Sequence, residues 1–118
     1  MFRERLAEIA GRITGSLAVS LVARDGIAVE SYSTDPELDL EVLAAELLAQ
    51  VRVISDDHRE LNVGAVRHFA VTTDRLTLMV SAVAPEYFLL LVLADAASYG
   101  RARYELQRAR LLFESDLV

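Results

Sequence analysis

The sequence predicts an α+β fold, a three-layer α-β-α sandwich around a five-stranded antiparallel sheet, with elements in the order α-β-β-α-β-β-β-α. Three observations carry this. Apolar residues switch between helical spacing and strand-like runs along the chain. The joints between consecutive strands are short, which makes the sheet antiparallel. Finally, residues 87–94, YFLLLVLA, are apolar on both alternating sets of positions and residues 17–23 nearly so, which calls for helices on both faces of the sheet.

Each element follows from local pattern. In MFRERLAEIAGRI, Phe2, Leu6, Ile9 and Ile13 recur at helical spacing among charges, predicting a short amphipathic helix whose end is weakened by Gly11 and Gly15. Residues 17–24 and 27–32 flank Asp25-Gly26, a pair that tolerates the positive backbone angles of a type I′ turn, so they form a hairpin. In STDPELDL two helix starts compete: Thr34 with Glu37 has capping-box spacing, and Asp35 before Pro36 supplies an N-cap with proline at the first helical position. A helix is expected from 35–39 to about Ser55, then a polar loop, DDHRELNVGA, closed by Gly64. Strands follow at 65–73, 76–83 and 87–94, joined through Thr73-Asp74-Arg75 and Ala84-Pro85-Glu86. A closing helix over 97–114 sets Ala102, Leu106, Ala109 and Phe113 on one stripe.

The 118 residues are expected to form one domain, 1–118, able to bury roughly two-thirds of its unfolded surface. With 53% hydrophobic and 25% charged residues the balance is that of a compact core, and the apolar share is high enough to suggest a partner. There is no cysteine, which excludes disulfides, thiolate catalysis and thiolate metal sites. There is no lysine either; all 12 basic residues are arginine, which removes the P-loop and Schiff-base lysines. The net charge is −6, and Asp35, Glu37, Asp39, Glu41, Glu46, Asp56, Asp57 and Glu60 crowd residues 35–60 against only Arg52 and Arg59. Nucleic acid and anionic membrane surfaces would meet repulsion. The N-terminal stretch has no signal-peptide apolar run and residues 87–94 are too short to span a bilayer, so no membrane insertion and a cytoplasmic location are expected.

No pattern of residues nominates a catalytic centre. Asp25 sits where turn geometry wants Asp before Gly, a structural role, and no second titratable group is nominated across a pocket. Asp56, Asp57 and His58 are the only cluster resembling metal ligands, but adjacent aspartates diverge and His68 is ten positions on, so a solvated loop is expected and no metal. There is no Gly-x-Ser-x-Gly, dinucleotide-binding glycine pattern or zinc spacing, and no cofactor is expected.

The second helix is the informative segment. Leu40, Leu43, Ala44, Leu47, Val51 and Ile54 form one broad apolar face, enough to pack on the sheet. The opposite side carries Val42, Ala45, Ala49 and Val53, interrupted by Glu46 and Arg52. A helix apolar almost all round is buried all round, and in so small a domain the natural cover is a second chain, with Ala45 and Ala49 allowing close approach. The third strand, AVRHFAVTT, has no proline and is free to pair with its own copy if it lies at the sheet edge. The two together make a two-fold dimer with a continuous sheet. The expected interface comprises Val42, Ala45, Glu46, Ala49, Arg52 and Val53 from the helix and Val66, His68, Ala70 and Thr72 from the strand. Placed near the dimer axis, His68 would weaken the dimer on charging near neutral pH.

Several local patterns in order add a resemblance. They are Gly15-Ser16-Leu17 with Arg24-Asp25-Gly26-Ile27-Ala28-Val29, then Leu43-Ala44-Ala45-Glu46-Leu47-Leu48, then Leu61-Asn62-Val63-Gly64, then Leu89-Leu90-Leu91-Val92-Leu93, and a closing helix with alternating arginines. In these, over nearly its whole length, the chain resembles the roadblock family, the dynein light chain relatives whose bacterial and archaeal members regulate small Ras-like GTPases. The resemblance implies a profilin-like sheet ordered 2-1-5-4-3, with the second helix on one face and the terminal helices on the other. It also implies dimerisation through the second helix and third strand, and a non-catalytic role as platform or activator for a small GTPase. The family has no single required catalytic arginine, so none is assigned.

The expected function is a homodimeric regulator or scaffold that binds a small Ras-like GTPase. An inserted guanidinium stabilises phosphoryl transfer, and Arg24 and Arg59, on exposed loops, are candidate partner contacts; Arg101, Arg103, Arg108 and Arg110 line the last helix. The acidic rim of the second helix would steer a basic partner surface. Two rival readings are a small-molecule sensing domain, disfavoured because the sequence offers no convergent polar cluster in an apolar pocket, and a structural adaptor without GTPase contact.

Overall fold

Helix and strand alternate as the sequence patterning requires: α1 (Phe2–Arg12), β1 (Ser16–Ala23), β2 (Ala28–Ser33), α2 (Leu40–Leu61), β3 (His68–Thr72), β4 (Leu76–Ala84), β5 (Tyr87–Ala94) and α3 (Tyr99–Glu114). The structure, a computed structural model, describes residues 2–94 and 99–114, with the side chains of 56–61 and 114 left aside. The strands form one antiparallel sheet in the order β2-β1-β5-β4-β3. This is the expected fold and strand order.

The sheet order explains the composition of β5. It lies between β1 and β4, so both alternating sets of its side chains are covered, and Phe88 to Leu93 are all buried. On one face Leu89, Leu91 and Leu93 pack with Leu6, Ile9 and Ile13 of the N-terminal segment and with Leu106 and Phe113 of α3. Phe2 and Phe113 stack with ring centroids 5.9 Å apart, tying α1 to α3. On the other face Phe88, Leu90, Val22 and Val80 pack with Ala44, Leu47, Leu48 and Val51 of α2. The stripe Ala102, Leu106, Ala109 and Phe113 is buried as its spacing predicts.

Four local expectations are corrected. The β1–β2 turn is not type I′, because that turn needs two residues with positive φ and only Gly26 has one, at 92°. Gly26 N–H donates to the Ala23 carbonyl at 2.8 Å and Ala23 N–H to the Ile27 carbonyl at 2.9 Å, closing a three-residue loop that ends on a left-handed glycine. Helix α2 starts on neither Thr34 nor Asp35: the Asp39 side chain caps it, accepting from Val42 N–H at 3.2 Å. Asp35 instead accepts from Glu37 N–H at 3.0 Å in a separate turn. The same helix runs to Leu61, through the stretch read as a loop, because Asp56 to Glu60 contain neither proline nor glycine. It stops at Asn62, the one non-glycine among the described residues with positive φ, 55°. Strand β3 begins at His68, so Val66 precedes it rather than lying within it.

Candidate protein-interaction surface

The inner face of α2 is fixed by the sheet, with Ala44 and Leu48 fully buried and Leu47 and Val51 nearly so. Its outer face keeps the second apolar stripe: Val42 is 54% and Val53 56% exposed, Ala45 is exposed and Ala49 half-buried between them. Glu46 and Arg52 flank the stripe, both exposed. Spaced three, four and four residues apart, Val42, Ala45, Ala49 and Val53 follow one side of the helix over about three turns.

Beside this helix lies a free sheet edge. β3 pairs only with β4, leaving its outer row of backbone groups open. Register assigns the faces of its side chains. Phe69 and Val71 stand opposite Val80 and Leu78 and pack with the α2 core, as does Val66. His68, Ala70 and Thr72 stand opposite Ser81, Met79 and Thr77, on the side of α1 and α3. The six α2 residues of the expected interface are thus on one helix, while three of the four from the strand region point to the far face. Phe69 and Val71, absent from the expected interface, are on the face that α2 covers; strand alternation is the signal that marks them once the register is known.

His68 is held against α3, its Nε2 lying 3.4 Å from the Tyr99 hydroxyl. Burial first, and the Arg103 guanidinium second, hold its imidazole below the ordinary pKa of 6.5. Two arginines of α3 have structural tasks: Arg101 and Arg108 lie 3.1 and 3.8 Å from the Glu105 carboxylate, which is 2% exposed.

Arg24 emerges from the β1–β2 loop, 3.6 Å from Glu86 of the β4–β5 turn, and its carbonyl accepts from Arg52 Nη1 at 3.1 Å. The loop is seated on α2 by Gly26, where an added Cβ would lie 3.3 Å from Ala45 Cα. The other candidate contact, Arg59, and the Asp56-Asp57-His58 cluster have side chains outside the described residues. Among the described residues no group of three or more His, Asp or Glu converges as a metal site, and no helix is long and apolar enough to cross a membrane.

A cavity of about 790 Å³ opens between residues 48–55 of α2, residues 65–67 and the β4–β5 turn, with Arg110 of α3 at its border. Leu48, Val51, Val66, Ala82 and Phe88 line its apolar part, and Arg24, Arg52, Arg67 and Arg110 its polar part, together with Glu86. No such lining is expected from the sequence, since these arginines come from four separate segments that line one cavity only in the folded chain.

The chain is 31% identical to MglC from Myxococcus xanthus, a likeness covering 98% of each chain with a TM-score of 0.72. A Roadblock/LC7 domain from Streptomyces avermitilis superposes with a TM-score of 0.85 at 18% identity, over 94% of this chain and 92% of that one. An MglB structure with a tetrameric arrangement matches with a TM-score of 0.83 at 19% identity, over 96% and 88% of the two chains. No protein-family model and no curated protein matches the chain.

Proposed function

The chain belongs to the Roadblock/LC7 family, and from that premise we propose that it is a homodimeric, non-catalytic regulator or scaffold that binds a small Ras-like GTPase. The observation that carries the reading is the apolar outer stripe of α2, Val42, Ala45, Ala49 and Val53, lying on a helix next to the open edge of β3. An unpartnered helix face and an unpartnered strand edge on one side of a domain suit an isologous two-fold contact, which satisfies both at once. The tetrameric arrangement of the similar MglB supports self-association in this fold. In such a dimer the two β1–β2 loops with Arg24, and the acidic residues 35–46, frame a composite surface for the GTPase. The dimer supplies no reacting group of its own; it modulates hydrolysis or placement of the GTPase by holding it.

The test is recovery of partners from cytosol on the purified protein, once with a non-hydrolysable GTP analogue and once with GDP, read by mass spectrometry. Nucleotide-dependent recovery of a small GTPase is the expected result. Recovery of other proteins irrespective of nucleotide would replace the regulator with an adaptor.

A further inference from the structure

We propose that the cavity between α2, residues 65–67 and the β4–β5 turn is a binding site for a small anionic amphiphile, a ligand with a carboxylate or comparable acidic head and an apolar body. Its volume, about 790 Å³, lies within the range of pockets that enclose small molecules. The lining divides by chemistry: Leu48, Val51 and Phe88 are apolar, and among the described residues Arg24, Arg52, Arg67 and Arg110 supply four basic residues against one acidic residue, Glu86.

The charges select the sign of the ligand. Arg24 is offset by Glu86, 3.6 Å away, and Arg52 is spent in part on the Arg24 carbonyl. Arg67 and Arg110 form no ion pair among the described residues, although the protein as a whole carries a net charge of −6. Two guanidinium groups with no ion pair among the described residues, lining an apolar cavity, favour an acidic head, which arginine binds through paired N–H donors, and disfavour a cationic one. The apolar lining then buries the apolar body. This inference does not depend on the GTPase reading, and its test uses the protein alone.

The experiment titrates the isotope-labelled protein at low ionic strength with decanoate and, at matched concentrations below micelle formation, with 1-decanol and decyltrimethylammonium, following backbone amide shifts. Decanoate is expected to shift the amides of Leu48, Val51, Val66, Ala82 and Phe88, and to bind up to about fivefold more tightly than the neutral chain, as one exposed ion pair warrants. The cationic chain should not compete. Arg67→Gln with Arg110→Gln, both exposed and outside the core, should weaken decanoate up to about fivefold, to the level of decanol, and leave decanol unchanged. Ala82→Phe, which fills the apolar part of the cavity, should abolish binding of both. Equal affinity for decanoate and decanol, shifts confined to other regions, or unchanged decanoate binding by the arginine double variant would each overturn the proposal. The arginine variant keeps the test intact should Ala82→Phe fail to fold.

Discussion

Gly26 concentrates two demands in one residue. Its φ of 92° lies where side chains are strained, and a Cβ there would press on the α2 backbone at Ala45. Gly26→Ala should therefore cost about 1–2 kcal/mol, read as a lower denaturant midpoint with unchanged slope. Asp25 beside it accepts from Ile27 N–H at 3.1 Å, so the carboxylate serves the loop, as the Asp-Gly pair announced in the sequence. What the pair did not announce was the loop length, because Asp-Gly serves two-residue and three-residue loops alike. His68 gives a pH-dependent prediction. Its folded pKa is lowered, so the unfolded chain takes up the proton first and the native state loses stability as pH falls through 6.5 toward the folded value. Equilibrium unfolding at pH 7.5 and 5.5 should give a smaller difference for His68→Asn than for the native chain, and an equal difference would place the pH dependence elsewhere.

At the scale of elements, α2 has one apolar face packed on the sheet and one proposed as the dimer contact, and substitutions should separate them. Leu48→Ala removes a fully buried side chain between helix and sheet and should cost about 2–5 kcal/mol of stability. Ala49→Glu places a charge in the outer stripe and should leave monomer stability within about 0.5 kcal/mol while halving the solution mass measured by light scattering. An unchanged mass would remove the stripe from the interface. The inner face was legible in part, since helical periodicity marked Ala44, Leu47 and Val51, but the expected face omits the fully buried Leu48. The ends of the helix were not: Thr34, Asp35 and Asp39 all offer capping side chains, and only the packing of α2 on β1, β4 and β5 decides which is used. The facing of β3 was hidden for a related reason, because alternation fixes which residues share a face but not which face meets α2.

Across the whole molecule the two helical layers differ in charge. Residues 35–46 carry Asp35, Glu37, Asp39, Glu41 and Glu46, while α3 carries Arg101, Arg103, Arg108 and Arg110. If the acidic layer receives the GTPase, association should slow on the order of tenfold between low and high salt, with little change in dissociation; stopped-flow rates independent of salt would exclude steering by this layer. Layering, strand order and core could be inferred from sequence because they follow from periodicity and short connections. The arginine-lined cavity could not, since Arg24, Arg52, Arg67 and Arg110 share no local pattern and meet only through the folded chain.

The sheet has two ends of unequal character. β3 is short and bears no acidic side chain, whereas β2 at the opposite end carries the exposed Glu30 in its middle. A carboxylate on a rim strand repels a like strand laid beside it. Joining two copies through β3 therefore consumes the permissive rim of each and leaves the guarded one facing outward on both sides. In a dimer joined in this way, the exposed carboxylate on each outer rim would oppose the addition of a further strand.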